Sequence, residues 1–172
     1  MSGKYDAVTR LFVAVWPSDE ARDYVRSLPR DRWVNVRWTA EDNWHVTLAF
    51  LGEAEIDDVA ARLDGGDLPS ATAEVGLRMR VLGGGSVVVP VHGLDELAAA
   101  VRAHFFDEIP KQPFRGHLTI GRSIGRRPIS GKSMSGPASA PIAFGVNEIA
   151  LVRSTLSPQG ARYDTVGTFA CR

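Results

Sequence analysis

Four histidines occur in the 172-residue chain, and two of them share one local setting. His45-Val46-Thr47-Leu48 and His117-Leu118-Thr119-Ile120 each read histidine, apolar, threonine, apolar. They stand 72 positions apart, close to half the chain, which suggests two similar lobes. Alternate side chains of a strand share a face. His45 and Thr47 therefore point one way while Val46 and Leu48 enter a core, and the same holds for His117 and Thr119 against Leu118 and Ile120. Each strand offers an imidazole and a hydroxyl on a face not needed for packing. Two imidazoles across a cleft can serve as base and acid in one displacement. Threonine hydroxyls can hold the non-bridging oxygens of a phosphate between them. An unperturbed imidazole titrates near ~6.5, so one ring can be neutral and the other protonated close to neutral pH. The spacing is not that of a zinc site, and no His-Glu-x-x-His occurs, so no metal ligand set is expected. On spacing alone, two half-buried structural histidines satisfied by hydrogen bonds stay open as the other reading. His92, in a His-Gly turn, and His104, in a last helical turn, are expected in surface or capping roles.

The elements that must position these residues can be read from periodicity. Residues 10–16 are rich in strand formers and end at Pro17. Ser18 is a candidate helix N-cap, with Asp19 and Glu20 in the favourable first turn and Ala21, Tyr24, Val25 and Leu28 on one apolar face. Strands are expected over 34–38 and 44–51, the second closed by Gly52, with a loop over 39–43 between them. Ile56, Val59, Ala60 and Leu63 mark a second helix. The alternation from Ala71 to Val81 predicts one half-buried strand, turned by Gly83-Gly84-Gly85 into a return strand over 86–91. Leu94, Leu97, Ala98, Val101 and Phe105 give a third helix. Residues 117–122 are strand-like, and a Gly-, Pro- and Ser-rich stretch over 123–141 is the best candidate for a mobile loop. Strands over 146–153 and 162–169 close the chain. Helices alternate irregularly with antiparallel-looking pairs, which predicts an α+β fold rather than a doubly wound sheet.

Composition narrows the function. The chain is 44% hydrophobic and 23% charged, with 20 basic and 20 acidic residues. That balance is ordinary for a globular protein and argues against gripping long nucleic acid by bulk charge, though not against binding a short RNA end. At ~150 residues per domain the length fits one domain over 1–172. The lone cysteine, Cys171, can form no internal disulfide and is expected to be a bystander. No apolar run reaches the ~18 residues of a membrane span, and the start of the chain lacks the apolar core of a signal peptide, so a cytoplasmic protein is expected.

With these residues in view, the chain resembles the RNA 2′,3′-cyclic phosphodiesterases of the 2H phosphoesterase superfamily, formerly labelled 2′–5′ RNA ligases. Arg10-Leu-Phe-Val-Ala-Val resembles the family's opening strand. Val36-Arg37-Trp38 with Glu41-Asp-Asn-Trp-His-Val-Thr-Leu-Ala-Phe-Leu-Gly-Glu53 is similar to its first signature, and Phe114 through His117-Leu-Thr-Ile-Gly-Arg122 to its second. Leu151-Val-Arg-Ser-Thr-Leu and Gly160-Ala-Arg-Tyr163 resemble the closing hairpin. The resemblance implies a two-lobed fold, two antiparallel sheets around a central groove with helices outside. It implies RNA ends bearing a 2′,3′-cyclic phosphate as substrate and a 2′-phosphate end as product. By the same resemblance His117 is the general base, His45 the general acid, Thr47 and Thr119 bind phosphate oxygens, and Arg122 neutralises phosphate charge. Strand parity sets Arg122 opposite His117, so that role needs the strand to end or bulge near Gly121. No cofactor, no membrane association and no obligate protein partner are implied, and a monomer is expected.

Two features depart from the family's pattern. Gly116 stands where proline is usual, and is expected to loosen the backbone before His117; Arg115 beside it is expected to be solvated. Trp44 stands where an aliphatic residue is usual, and its parity, opposite to His45, predicts core packing. Residues 125–133 imitate a phosphate-binding loop, but five residues separate the glycines instead of four, and Pro128 intervenes. No lysine stands in a Lys-x-Asp-Gly context, which removes a lysyl-nucleotide ligase. Three alternatives remain: another branch of the superfamily with a different substrate, reversible 2′–5′ joining by the same site, and a non-catalytic module that binds RNA ends.

Overall fold

The computed structural model describes residues 8–108, 112–131, 136 and 138–172. Strand β1 (Thr9–Val15) leads through Ser18, whose hydroxyl accepts a hydrogen bond from the Ala21 amide at 3.2 Å, into helix α1 (Asp19–Ser27). Strands β2 (Trp33–Val34) and β3 (Val36–Trp38) come next, then a 3-10 turn over Glu41–Asn43 and strand β4 (Val46–Ala54). Helix α2 (Ile56–Asp64) precedes β5 (Ala71–Val75), β6 (Arg80–Leu82), β7 (Ser86–His92) and helix α3 (Asp95–Ala103). The chain closes with β8 (His117–Ser123), β9 (Ser130–Gly131), β10 (Ile142–Val146), β11 (Glu148–Ser157) and β12 (Gly160–Ala170). The fold is α+β, and no described helix is long and apolar enough to cross a membrane.

All pairings are antiparallel, and ten strands form one curled sheet in the order β10-β5-β7-β8-β4-β1-β11-β12, with β3 on β8 and β6 on β7. The two expected sheets are thus halves of one. They meet at a single register pair, Val46 with Leu118 on β4 and β8. Leu11, Val13, Val46, Leu48, Leu118 and Ile120 point to one face and are buried with the apolar stripes of the helices: Ala21 and Val25, Val59 and Leu63, Leu97 and Val101. The helices therefore cover one side of the sheet, and the other side is left for the groove. A smaller cluster of Phe12, Ala14, Ala150 and Val152 lies on that groove side.

Three details differ from the sequence reading. The strand expected over 34–38 is broken at Asn35, which adopts φ 64°, a left-handed conformation that asparagine tolerates. The break frees β2 to pair with β9 while β3 pairs with β8. The strand expected over 71–81 is also two strands, because the Gly76 amide donates to the Pro90 carbonyl at 2.8 Å and ends the β5 run; Met79 stays fully buried across the gap. Gly52 does not close its strand but sits within β4 at φ 72°. Residues 132–135 and 137, in the stretch read as a mobile loop, and Lys132 and Ser133 of the loop-like motif, lie outside the described residues.

Candidate active site

The two lobes meet where the two motifs meet. Val46 and Leu118 pair directly with their side chains in the core, so their four sequence neighbours, His45, Thr47, His117 and Thr119, face the groove. Continuing the antiparallel register sets His45 across from Thr119 and Thr47 across from His117. The assigned strands start at Val46 and His117, so His45 lies one residue outside its strand.

Each imidazole is held in the same way. Nδ1 of His45 is 2.7 Å from the carbonyl oxygen of Asn43, and Nδ1 of His117 is 2.7 Å from that of Arg115. A carbonyl oxygen only accepts, so Nδ1–H is the donor in both rings. That fixes the tautomer and presents Nε2 of each ring to the groove, as an acceptor when neutral and a donor when protonated. The carbonyl behind His45 belongs to a braced turn. Arg26 forms a two-pronged ion pair with Glu41, at 2.7 and 2.6 Å, and Arg22 donates to the Glu41 carbonyl at 3.0 Å. From the other side the Asn43 side-chain amide donates to the Ala161 carbonyl at 3.3 Å. Trp44 is buried, as parity predicts; its indole N–H donates to the Thr39 carbonyl, and the Arg30 guanidinium lies 5.5 Å over its ring.

Arg122 reaches the histidine face through a bulge. On β7, Ser86, Val88 and Pro90 alternate onto one face, and their partners on β8 are Arg122, Thr119 and His117. The register skips Ile120, so one extra residue turns Arg122 onto the side of His117. β4 does the same. Ala14 pairs with Thr47 and Phe12 with Phe50, which makes Leu48 the first of two irregular positions and turns Phe50 onto the side of His45. Ile120 and Leu48 stand at equivalent places in the two motifs, each just after the threonine. Phe50 is therefore the counterpart of Arg122, five residues after its histidine. Its ring is 74% exposed, 6.2 Å from Phe12. The equal offset from the histidine was the available signal, and simple alternation hid it.

Aromatic rings enclose His45. Phe12, Tyr163 and Trp16 have centroids 4.8, 5.0 and 5.7 Å from the imidazole, and the Trp16 N–H donates to Thr165 Oγ1 at 3.2 Å. Burial among them pushes the His45 pKa below the ordinary histidine value. The positive charges of Arg122 and His117 push it the same way, against the bond to Asn43. The strand register sets the three groups on one face.

Gly116 is fixed by close packing, in contrast to the loosening expected. A Cβ there would lie 2.5 Å from the Val91 carbonyl oxygen, and the Gly116 carbonyl accepts the Val91 amide at 2.9 Å. Arg115 is exposed, and its carbonyl, not its side chain, serves His117. His104 caps α3 and packs on Gly66, and Cys171 is a buried free thiol whose pKa burial pushes up. A cavity of about 260 Å³ lined by Leu63 to Leu68, Phe169, Ala170 and Arg172 contains none of the expected site residues. Among the described residues no three His, Cys, Asp or Glu side chains gather as metal ligands would.

Comparison with known proteins finds similarity in sequence and in fold. The model of the LigT-like phosphoesterase family matches residues 14–76, which include the first motif. An RNA 2′,3′-cyclic phosphodiesterase of Geobacillus stearothermophilus is 26% identical over 176 residues, covering 92% of this chain and 56% of that protein. The chain thus spans about half the length of that curated relative. Among solved structures, a protein of Thermus thermophilus superposes with a TM-score of 0.73 at 24% identity, over 95% of this chain and 98% of that one. LigT of E. coli complexed with 3′-AMP gives 0.70 at 22% identity, over 95% and 98%. The chain is thus similar in sequence to the LigT-like phosphoesterase family over residues 14–76, and it shares the fold of the LigT structures over nearly its whole length.

Proposed function

We propose that the protein is a phosphodiesterase that opens 2′,3′-cyclic phosphates at RNA ends to leave a 2′-phosphate, with residues 1–172 acting as one two-lobed unit in the cytoplasm. The observation that carries this reading is the pair of imidazoles at the lobe junction, each tied through Nδ1 to a backbone carbonyl and each presenting Nε2 beside a threonine. In this reading the cyclic phosphate sits between Thr47 and Thr119, with Arg122 on its charge, a task suited to a guanidinium. His117 Nε2 removes a proton from water as the water oxygen bonds to phosphorus. The P–O3′ bond breaks in line, and protonated His45 gives its Nε2 proton to the departing O3′. His117 leaves protonated and His45 neutral, and proton exchange with solvent resets the pair. The lowered pKa of His45 makes it the stronger acid, and the approaching phosphate anion offsets the nearby positive charges. Phe50 offers an exposed ring on the same face, suited to stack the terminal base.

The relative's named activity supports the substrate class. The test is incubation of a short RNA ending in a 2′,3′-cyclic phosphate, with EDTA present, followed by identification of the product. A 2′-phosphate is expected. A 3′-phosphate, or activity only with added metal, would overturn the proposed assignment of acid and base.

A further inference from the structure

Beyond the reacting groups, the groove face around β7 and β8 carries two arginines, Arg37 and Arg80, that the hydrolysis does not use, in a row with Arg122. β7 sets the parity: Ser86 and Val88 share a face with Arg122 and Thr119 on one side. On the other side they share it with Leu82 and Arg80 of β6, their direct partners. Arg37 of β3 is the direct partner of Arg122. Arg37, Arg80 and Arg122 therefore project from one surface, continuous with the histidine site. Neighbouring strands are ~4.8 Å apart, so Arg37 stands one such step from Arg122, and Arg80 two steps, about 10 Å, from Thr119.

All three are exposed, and none of their side chains forms an ion pair or hydrogen bond with another described residue. Among the described residues, Arg26, Arg153 and Arg162 pair with carboxylates and Arg22, Arg30, Arg62 and Arg102 with backbone carbonyls. Arg10, Arg32, Arg115, Arg126, Arg127 and Arg172 also lack a side-chain partner among the described residues, so what sets these three apart is their shared face beside the histidines. No carboxylate occupies any of these paired positions on the face. In a chain of zero net charge, such a concentration of uncompensated positive charge calls for an anionic occupant.

We propose that this face is the track for the ribose–phosphate backbone of single-stranded RNA immediately 5′ of the reacting end, with Arg37 and Arg80 each neutralising one phosphate. The inference rests on the reading of the site as one for RNA ends, and it names an oligonucleotide, rather than a mononucleotide, as the preferred substrate. Arg122 is the junction, since its guanidinium serves the terminal phosphate while its direct neighbour Arg37 meets the next. Guanidinium groups along a strand surface, beside an aromatic ring at the terminus, match how single strands are held. A membrane surface fits less well. Apart from Phe50 at its end, the one large apolar side chain among the paired positions on this face that is not buried is Leu82, at 39% exposure, too little for the apolar insertion an interfacial site uses.

The test measures binding, so it does not depend on turnover. A 5′-labelled hexaribonucleotide ending in a 2′-phosphate is titrated with the parent, Arg37→Gln, Arg80→Gln and the double variant across a salt series. Adenosine 2′-phosphate is measured as competitor. The parent is expected to bind the hexamer more tightly than the mononucleotide. Each variant is expected to weaken the hexamer several-fold and to flatten the slope of log affinity against log salt by about 0.7. The double variant is expected to flatten it by about 1.4, with the mononucleotide unchanged. Equal affinity of the parent for hexamer and mononucleotide, an unaltered slope in the double variant, or an acidic peptide bound through these arginines in place of RNA would each overturn the track. Arginine-dependent hexamer binding without opening of any cyclic phosphate would uphold the track and remove the enzymatic reading alone.

Discussion

At the scale of single residues, His45 is placed where its charge is disfavoured. Burial among Phe12, Trp16 and Tyr163, then the positive Arg122 and His117, hold its pKa below the ordinary value of ~6.5. The direction of that shift bears on rate. In a pair of coupled groups the lower macroscopic pKa cannot exceed that of the weaker base, so the acid limb of kcat/KM is expected below ~6.5. Histidine NMR titration is expected to place His45 there directly, to move it up when inorganic phosphate binds, and to move it up in Arg122→Gln. A His45 titration at or above the ordinary value in the free protein would show that the ring is not desolvated as described. Phe50 gives a second expectation. Stacking of a base is worth about 1–3 kcal/mol, so Phe50→Ala is expected to lower kcat/KM on nucleotide substrates by roughly 5- to 150-fold. Because the ring is 74% exposed, thermal unfolding should be almost unmoved. A fall in stability without a fall in kcat/KM would assign the ring to packing.

At the scale of elements, both signature strands are built by one rule: alternation up to the threonine, then one extra residue. Alternation was legible in the sequence. It predicted the four groove residues and the burial of Trp44, and the residue types at 18–20 predicted the capping of α1 by Ser18. The extra residue was not legible in the same way, because a bulge is set by the partner strand's register and not by the bulged strand's own pattern. For Arg122 the need for a bulge could be stated; for Phe50 parity pointed into the core, and only the ladder with β1 turned it out. The break between β5 and β6 was hidden for a similar reason, since Met79 continues the apolar alternation across a gap made by a backbone bond at Gly76. Two-residue strands such as β2 and β9 carry too little pattern to be read at all. Gly116 shows how tightly these elements meet. Its missing side chain leaves room for the Val91 carbonyl, so Gly116→Ala must push β7 from the start of β8. Overpacking of this kind costs about 1–3 kcal/mol, a loss of several degrees in Tm at this chain length. A matching loss of kcat is expected because His117 is the next residue. Calorimetry showing an unchanged Tm would mean that β7 yields without cost.

At the scale of the whole molecule, ten strands curl around one junction, and the junction is a single pair of apolar residues with the candidate catalytic groups on its other side. The halves mirror each other in strand, bulge and histidine tether, yet differ in the side chain presented beyond the bulge. One half ends in an aromatic ring and the other in a guanidinium, so the groove has a direction, aromatic on one side and cationic on the other. Such a site needs both halves at once. The most direct test of the account is hydrolysis of a cyclic-phosphate-ended RNA by the parent beside His45→Ala and His117→Ala, with folding of each checked by circular dichroism. Loss of a general acid or base costs about 10²- to 10⁴-fold, and that loss is expected in both variants, with the folds intact. Parental turnover in either folded variant would contradict the two-histidine mechanism.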